Sequence, residues 1–303
     1  SLRENSTFDL RYLSGGLPFQ SHDYVFRKVK TDELVSWDDI NHLLEKDILP
    51  YPRARLINHD NDMSRGYSGF VTHTLSVTGE KTPHVNRYQL YKHLNEGASL
   101  IIDRCNSYFT EIERVVQYLS KELKCRSSAN LYASWTSTSS FGMHFDNHDV
   151  IAVQIEGSKK WKIHLPTHPY PMLSEKSFDY AAPQGEPYKE VVLNQGDAIY
   201  LPAGYWHNVE TISDRSLHIS MPIIRPRKID VIRCIFDSLI GYPEMRMPVS
   251  LTKSCSDNEY LQQILKDCIG NANVSDWEDS VIEECMNLNY IEFSLPNIKK
   301  ASP

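Results

Sequence analysis

No run in the 303-residue sequence approaches the roughly 18 apolar residues that a bilayer-crossing helix needs, so no membrane span and no membrane partner are expected. Nor does a basic segment followed by an apolar stretch open the chain, so no secretion signal is expected. Ser1 stands first where Met would, which is expected of a trimmed N-terminus. Cysteine is sparse: Cys105, Cys125, Cys234, Cys255, Cys268 and Cys285 form no CxxC pair and no dense framework. They read as reduced, mostly buried thiols, which points to the cytoplasm. With 13 Gly and 16 Pro and no internal repeat, collagen-like and low-complexity readings are excluded. A basic excess is missing as well. Lys and Arg number 32 against 39 Asp and Glu, a net charge of −7, so direct nucleic-acid binding is not expected.

What is present is an ordinary globular composition, 41% hydrophobic and 23% charged, on a chain long enough for one large domain and a smaller one. Trp37 to Leu44, Tyr88 to Leu94 and Tyr108 to Leu123 read as helices. The last has Phe109, Ile112, Val115, Val116, Leu119 and Leu123 on one stripe. Loops and edge strands are expected between Tyr51 and Ser76. From Ala129 the period shortens. Asn130–Trp135, Val150–Glu156, Lys159–Leu165, Val191–Leu193, Ala198–Leu201, His207–Ile212 and Leu217–Pro222 read as short strands between turns, with Glu156-Gly157-Ser158 as a tight hairpin. After Pro226 helical spacing returns in Val231, Ile232, Ile235, Phe236, Leu239 and Ile240, stopped by Gly241 and Pro243, and again from Asp257 to Ile269. Ser275-Asp276-Trp277-Glu278 has capping-box form and opens a last helix with Trp277, Val281, Cys285 and Leu288 inward. The expected organisation is helices and outer strands over 1–128, a β core over 129–225 and a helical module over 226–303. Its class is α+β, with a sandwich or jelly-roll barrel at the centre.

The chemistry concentrates in Gly142-Met143-His144-Phe145-Asp146 and Pro202-Ala203-Gly204-Tyr205-Trp206-His207. Residues two apart on a strand share a face, so His144 and Asp146 can grip one ion. His207 from a distant strand completes two imidazoles and a carboxylate on one face of an octahedron, which leaves positions open for a co-substrate and dioxygen at Fe(II). Lys159 alternates onto the face of Trp161, Ile163 and Leu165, with Lys160, Lys162 and His164 opposite. An ammonium on an apolar face must find an anion, either a ligand carboxylate or an internal Asp, unless the whole face is exposed to solvent. Asn194-Gln195-Gly196-Asp197 and Pro202-Ala203-Gly204 bracket a short apolar strand that delivers His207. His148 reads as a surface or substrate-side residue and not a ligand, and His164 and His168 as loop histidines outside any metal set.

Asn130 and Tyr132, His144-x-Asp146-x-x-Asp149-Val150, Gln154-x-x-Gly157-x-Lys159-Lys160-Trp161, Gly196-Asp197 through His207, and Ser216-Leu217-His218 together resemble the JmjC-type cupin oxygenases, in particular their ribosomal-oxygenase branch. A looser likeness extends upstream through the Trp37 helix and Gly97–Ile101. The resemblance implies a double-stranded β-helix (jelly-roll, cupin) barrel with N-terminal flanking helices and a C-terminal helical module. It implies Fe(II) on His144, Asp146 and His207, with 2-oxoglutarate and O2 as co-substrates. Lys159 matches the position that takes the distal carboxylate of 2-oxoglutarate, Asn130 and Tyr132 match pocket-lining positions, and Ser220 or Ser216 assists from the strand after His207.

The activity it implies is a dioxygenase that hydroxylates an unactivated C–H of a protein or peptide side chain while 2-oxoglutarate is decarboxylated to succinate. A small-molecule hydroxylase with the same chemistry, a non-catalytic metal-binding cupin and a zinc or manganese isomerase are the alternatives. A homodimer built from the post-barrel helices is expected from the same resemblance.

Overall fold

The computed structural model describes residues 22–27, 29–46, 49, 52–57, 69–135, 141–248, 255–271 and 273–287. In chain order the first elements are β1 (Tyr24–Phe26), α1 (Trp37–Glu45), β2 (Ala54–Ile57), β3 (Val71–Leu75), β4 (Lys81–Val85), α2 (Arg87–Asn95), β5 (Ser99–Ile102) and α3 (Thr110–Leu123). Strands then dominate: β6 (Arg126–Ser127), β7 (Asn130–Ser134), β8 (His144–Phe145), β9 (Asp149–Glu156), β10 (Lys159–His164), β11 (Lys189–Leu193), β12 (Ala198–Leu201), β13 (Trp206–Thr211) and β14 (Ser216–Ile224). The chain closes with α4 (Lys228–Asp237), α5 (Cys255–Asn271) and α6 (Val274–Asn287). Helix α1 starts where it does because Ser36 and Asp39 cap reciprocally. The Ser36 hydroxyl accepts from the Asp39 N–H at 3.2 Å, and the Asp39 carboxylate accepts from the Ser36 N–H at 2.8 Å.

Two compact units result. The first runs to Leu123 and from Ser127 to Ile224; the second comprises Lys124–Arg126 and the residues from Arg225 onward. The first unit is a double-stranded β-helix made of two antiparallel sheets. Its larger sheet runs β1-β12-β9-β14-β7-β5-β2, with β6 as the eighth strand, and its smaller one runs β11-β10-β13-β8. A separate hairpin pairs β3 with β4.

The two sheets carry different side-chain patterns because they face different surroundings. In β9 every residue from Asp149 to Ile155 is buried, the continuous apolar run of a strand covered on both faces. In β10 burial alternates, and the outward Lys160 and Lys162 pair with Glu190 and Glu210 at 3.0 and 3.3 Å. Between the sheets, Val150, Ala152, Trp161, Ile163, Leu193, Ile199, Leu201 and Tyr205 form an apolar cluster. Lys159 and Trp161 point inward with Ile163 as the alternation requires. Two neighbours depart from it: β10 ends at His164, which is buried, and Leu165 beyond the strand is 52% exposed.

The Glu156-Gly157-Ser158 turn does not close a hairpin. Both flanks of β9 are occupied, by β12 and β14, so the turn carries the chain across from the larger sheet into β10 of the smaller. Gly157 makes this crossing at φ 72°, and a Cβ there would lie 2.1 Å from the Arg215 carbonyl oxygen.

In the second unit α4 packs on α6. The stripe after Pro226 divides: Val231, Ile235 and Leu239 are buried, whereas Ile232, Phe236 and Ile240 are 47%, 44% and 65% exposed. The α-helix ends at Asp237 and tightens into a 3₁₀ turn over Ser238–Gly241. Helix α6 begins one residue before Ser275, with the Asn273 carbonyl accepting from the Asp276 and Trp277 N–H groups, so the expected Ser275 cap lies inside the first turn. Asn is as good an N-cap as Ser, and here it takes that role. Leu288, expected on the inward face of this helix, and residues 58–68 of the expected loop region lie outside the described residues.

Gly157→Ala is expected to destabilise the barrel unit by at least about 2 kcal/mol, because it adds left-handed strain to a backbone clash. Urea unfolding of the variant against the parent measures this.

Candidate active site

Strand pairing brings the three proposed ligands together. His207 on β13 lies directly opposite His144 on β8, with ring centroids 4.3 Å apart. Strand β8 is only two residues long, so Asp146 sits just past its end and not on the strand. Its backbone is nevertheless held, because the Gly204 N–H donates to the Asp146 carbonyl at 2.9 Å. Asp146 Oδ2 is then 3.7 Å from His207 Nε2, and one ligand atom from each of the three residues lies within 4.8 Å of the others.

The donor set suits a metal ion. His144 Nδ1 is 3.1 Å from the Gly142 carbonyl oxygen, and His207 Nδ1 is 3.1 Å from that of Tyr205. Each carbonyl accepts an Nδ1–H, which leaves both Nε2 lone pairs for the shared point. Burial pulls the His207 imidazole down to about 4, with His144 beside it adding to the shift, so the ring is neutral and able to ligate. Burial acts to raise the Asp146 carboxyl, but His148, His207 and His144 outweigh it and hold the group below its usual range.

A second layer of contacts fixes the turn before His207. Asp149 accepts from Tyr200 Oη at 2.8 Å and from the Ala203 N–H at 2.9 Å. Trp206 meets Phe145 edge-on at 4.9 Å and donates from Nε1 to Thr167 Oγ1 at 2.9 Å. Beside Asp146, Asn147 Nδ2 donates to the Leu173 and Glu175 carbonyls at 2.8 and 2.9 Å, which ties the loop after β10 to the metal-ligand segment. His168 in that loop pairs with Glu175 at 3.1 Å, away from the triad, whereas His164 is the buried last residue of β10 and not a loop residue.

The triad opens onto a cavity of about 160 Å³, several times the roughly 30 Å³ share of a liquid water. Asn130, Tyr132, Lys159, Ser220 and His148 all line it. Asn130 Oδ1 accepts from the Arg104 N–H at 3.0 Å, and Tyr132 is half-buried, its hydroxyl pushed up by desolvation. Ser216 does not reach the cavity. It is fully buried and accepts from Gln154 Nε2 at 2.8 Å, so of the two serines only Ser220 lines the cavity.

Sequence reasoning gave no role to Ser99, Ser134, Thr211 and His218, which line the cavity. They become visible only through pairing: Ser99 bonds Ser134 at 2.9 Å, and Thr211 stands opposite Lys159. Lys159 lies at the Thr211 level and His207 four residues back along β13, about 13 Å of strand. Lys159 is 6% exposed, forms no ion pair among the described residues, and burial pulls its ammonium down to about 7.

Residues 105–231 match the JmjC domain family. The chain is 27% identical over 207 residues to the bifunctional lysine-specific demethylase and histidyl-hydroxylase NO66 of Dictyostelium discoideum, covering 67% of this chain and 38% of that protein. Against ribosomal oxygenase 1 of Gallus gallus it is 26% identical over 214 residues, covering 69% and 33%. The chain therefore spans well under half the length of these relatives. Among solved structures it is similar to the ribosomal oxygenase YcfD of Escherichia coli, with TM-score 0.59 and 16% identity over 94% of this chain and 73% of that one. A second structure of YcfD, in complex with cobalt and 2-oxoglutarate, matches with TM-score 0.56 and 15% identity over 94% and 73%. At these identities the likeness shows a shared fold.

The unfolded Lys159 ammonium titrates at its ordinary 10.5 and the folded one at about 7. Between those values the unfolded chain binds a proton that the folded chain does not, so stability rises with pH across that window. Lys159→Met removes this dependence. Urea unfolding at about pH 7.5 and pH 9.5 is expected to show the parent gaining about 2 kcal/mol relative to the variant.

Proposed function

From the premise that residues 105–231 form a JmjC domain on a cupin barrel, we propose that this chain is an Fe(II)- and 2-oxoglutarate-dependent dioxygenase that hydroxylates a protein or peptide side chain. The observation that carries this reading is the juxtaposition of a His144, Asp146 and His207 triad with a buried, unpaired Lys159 on one cavity. A scaffold or sensor cupin has no need of such a lysine, and among the described residues the donor set carries none of the extra His or Glu ligands of the isomerase alternative.

His144, Asp146 and His207 would hold the iron, and Lys159 would take a carboxylate of 2-oxoglutarate beside Asn130, Tyr132 and Ser220. Bound iron with 2-oxoglutarate supplies dioxygen activation coupled to decarboxylation to succinate. The chain's own residues orient and exclude. The carbonyls of Gly142 and Tyr205 keep both imidazoles in the ligating tautomer. Trp161 stacks on His207 at 5.6 Å, and with Val150 and Val209 it gives the cavity apolar walls that limit water around the reacting centre. A protein target accords with the relatives' names, which denote lysine and histidine side chains. Thiols at Cys105 and Cys234 that form no disulfide support work in the cytoplasm. Among the described residues no helix is long and apolar enough to cross a membrane.

Replacing His144, Asp146 or His207 with Ala is expected to abolish succinate formation from 2-oxoglutarate while the fold persists, since each removes one of three protein bonds to iron. Succinate production and circular dichroism of the three variants test this together. Undiminished turnover in all three rejects the triad.

We propose further that the second unit makes a homodimer through the exposed face of α4, where Ile229, Ile232, Phe236 and Ile240 remain outside the unit's own core. Light scattering of the parent chain is expected to give twice 35.0 kDa. Ile232→Glu with Phe236→Glu is expected to give the monomer mass, with the unfolding temperature of the barrel retained.

A further inference from the structure

Strand β10 carries three lysines, and one of them turns inward. Lys160 and Lys162 face outward and pair with Glu190 and Glu210, whereas Lys159 is buried, lines the cavity and pairs with no carboxylate among the described residues. The titratable groups that face it do not supply the missing charge. His218, within electrostatic reach on β14, and Tyr132 on β7 are both held uncharged by desolvation. An ammonium buried without a counter-ion is unfavourable, so the side chain is driven toward the free amine, and its pKa falls to about 7.

A desolvated amine is a nucleophile, and the cavity decides which electrophile reaches it. Two features suit carbon dioxide. Trp161, Val150 and Val209 give the cavity apolar walls, which admit a small uncharged molecule without a desolvation cost. Thr211 stands opposite Lys159 in the β10–β13 register and lines the same space, as do Asn130 and Tyr132 from the larger sheet. Their hydroxyl and amide groups can donate to an anion that forms on the amine. His207 stands four residues back along β13, so the amine reacts clear of the metal ligands.

We infer that Lys159 is a carbamylation site: when 2-oxoglutarate is not bound, its amine takes up carbon dioxide, and the carbamate excludes the co-substrate. The Nζ lone pair forms a C–N bond to the carbon, one C=O π pair moves onto oxygen, and the nitrogen releases one proton to solvent. One amine and one carbon dioxide give one carbamate anion and one proton, with no change of oxidation state. The adduct reverses the charge at the point where Lys159 would take a carboxylate, and it fills part of the same space. The reaction proposed above releases carbon dioxide in this cavity, so product accumulating as 2-oxoglutarate is consumed would switch the site off reversibly. The exclusion rests on the function proposed above; the adduct itself does not.

The test equilibrates the full chain with bicarbonate at about pH 7.5, traps carbamates with triethyloxonium and locates them by peptide mass spectrometry. An ethoxycarbonyl group is expected on Lys159 at an occupancy at least about tenfold above that of exposed lysines, since an ordinary lysine is almost wholly protonated at that pH. Mn(II) with excess 2-oxoglutarate is expected to lower the Lys159 occupancy at least about tenfold by mass action. The α-amino terminus also titrates near neutrality, and its adduct is expected to stay unchanged, which makes it the internal control. No adduct on Lys159, or one no more abundant than on exposed lysines, overturns the inference. An adduct that persists while calorimetry shows 2-oxoglutarate bound overturns it as well, because the two would then not exclude one another. A protein that binds Mn(II) but no 2-oxoglutarate rejects the proposed function and the exclusion with it, while the trapped peptide still decides the modification.

Discussion

The short pairing of β13 with β8 is the contact on which the site depends. Only Trp206 with Phe145 and His207 with His144 are in register, too little ladder to persist alone. It persists because three other contacts converge on the same turn: the Gly204 N–H on the Asp146 carbonyl, the Asp149 carboxylate on Tyr200 and Ala203, and the edge-on Trp206–Phe145 pair. Each ties the chain just before His207 to the chain just around Asp146. The histidines face one another as a result of this bracing, and the carboxylate is brought in by backbone position although it lies beyond the strand.

Inside the barrel, apolar and polar side chains serve opposed demands. Around Trp161, Ile163, Leu193 and Ile199 the two sheets pack as an ordinary core. Around the cavity the inward residues of β7 and β14 are Asn130, Tyr132, Ser134, His218 and Ser220. Their polar atoms forgo apolar packing, and among the described residues His218 Nδ1 finds no hydrogen-bond partner, nor does Trp161 Nε1 on β10. Stability and function draw on the same interior volume, and the polar rows mark where function has been favoured.

Much of this was legible in the residues themselves. Alternation alone placed Lys159 with Trp161 and turned Lys160 and Lys162 outward, because the smaller sheet has one wet face and the period-two rule applies to it directly. The HxD pair and the turn-flanked His207 were legible for a similar reason, since their spacing is local. What could not be read was whatever depends on a distant partner. Gly157 carries the signals of a hairpin, yet β9 finds its neighbours 45 and more residues away, in β12 and β14. Ser99 and Thr211 look like unremarkable strand residues until register sets them beside Ser134 and Lys159. Ser275 lost its cap to Asn273 because either residue type could serve.

The link between Gly204 and Asp146 is made by main-chain atoms only, an amide on one segment and a carbonyl on the other. Side-chain replacement on the neighbouring residues leaves both atoms in place, so the two ligand-bearing segments can drift in sequence without losing their alignment. Position 204, at φ 85° and with the His168 carbonyl 3.0 Å from where a Cβ would stand, is the exception that must stay glycine. A site braced in this way can be inherited as geometry while most of its letters change, which is how chains 16% identical can share one barrel.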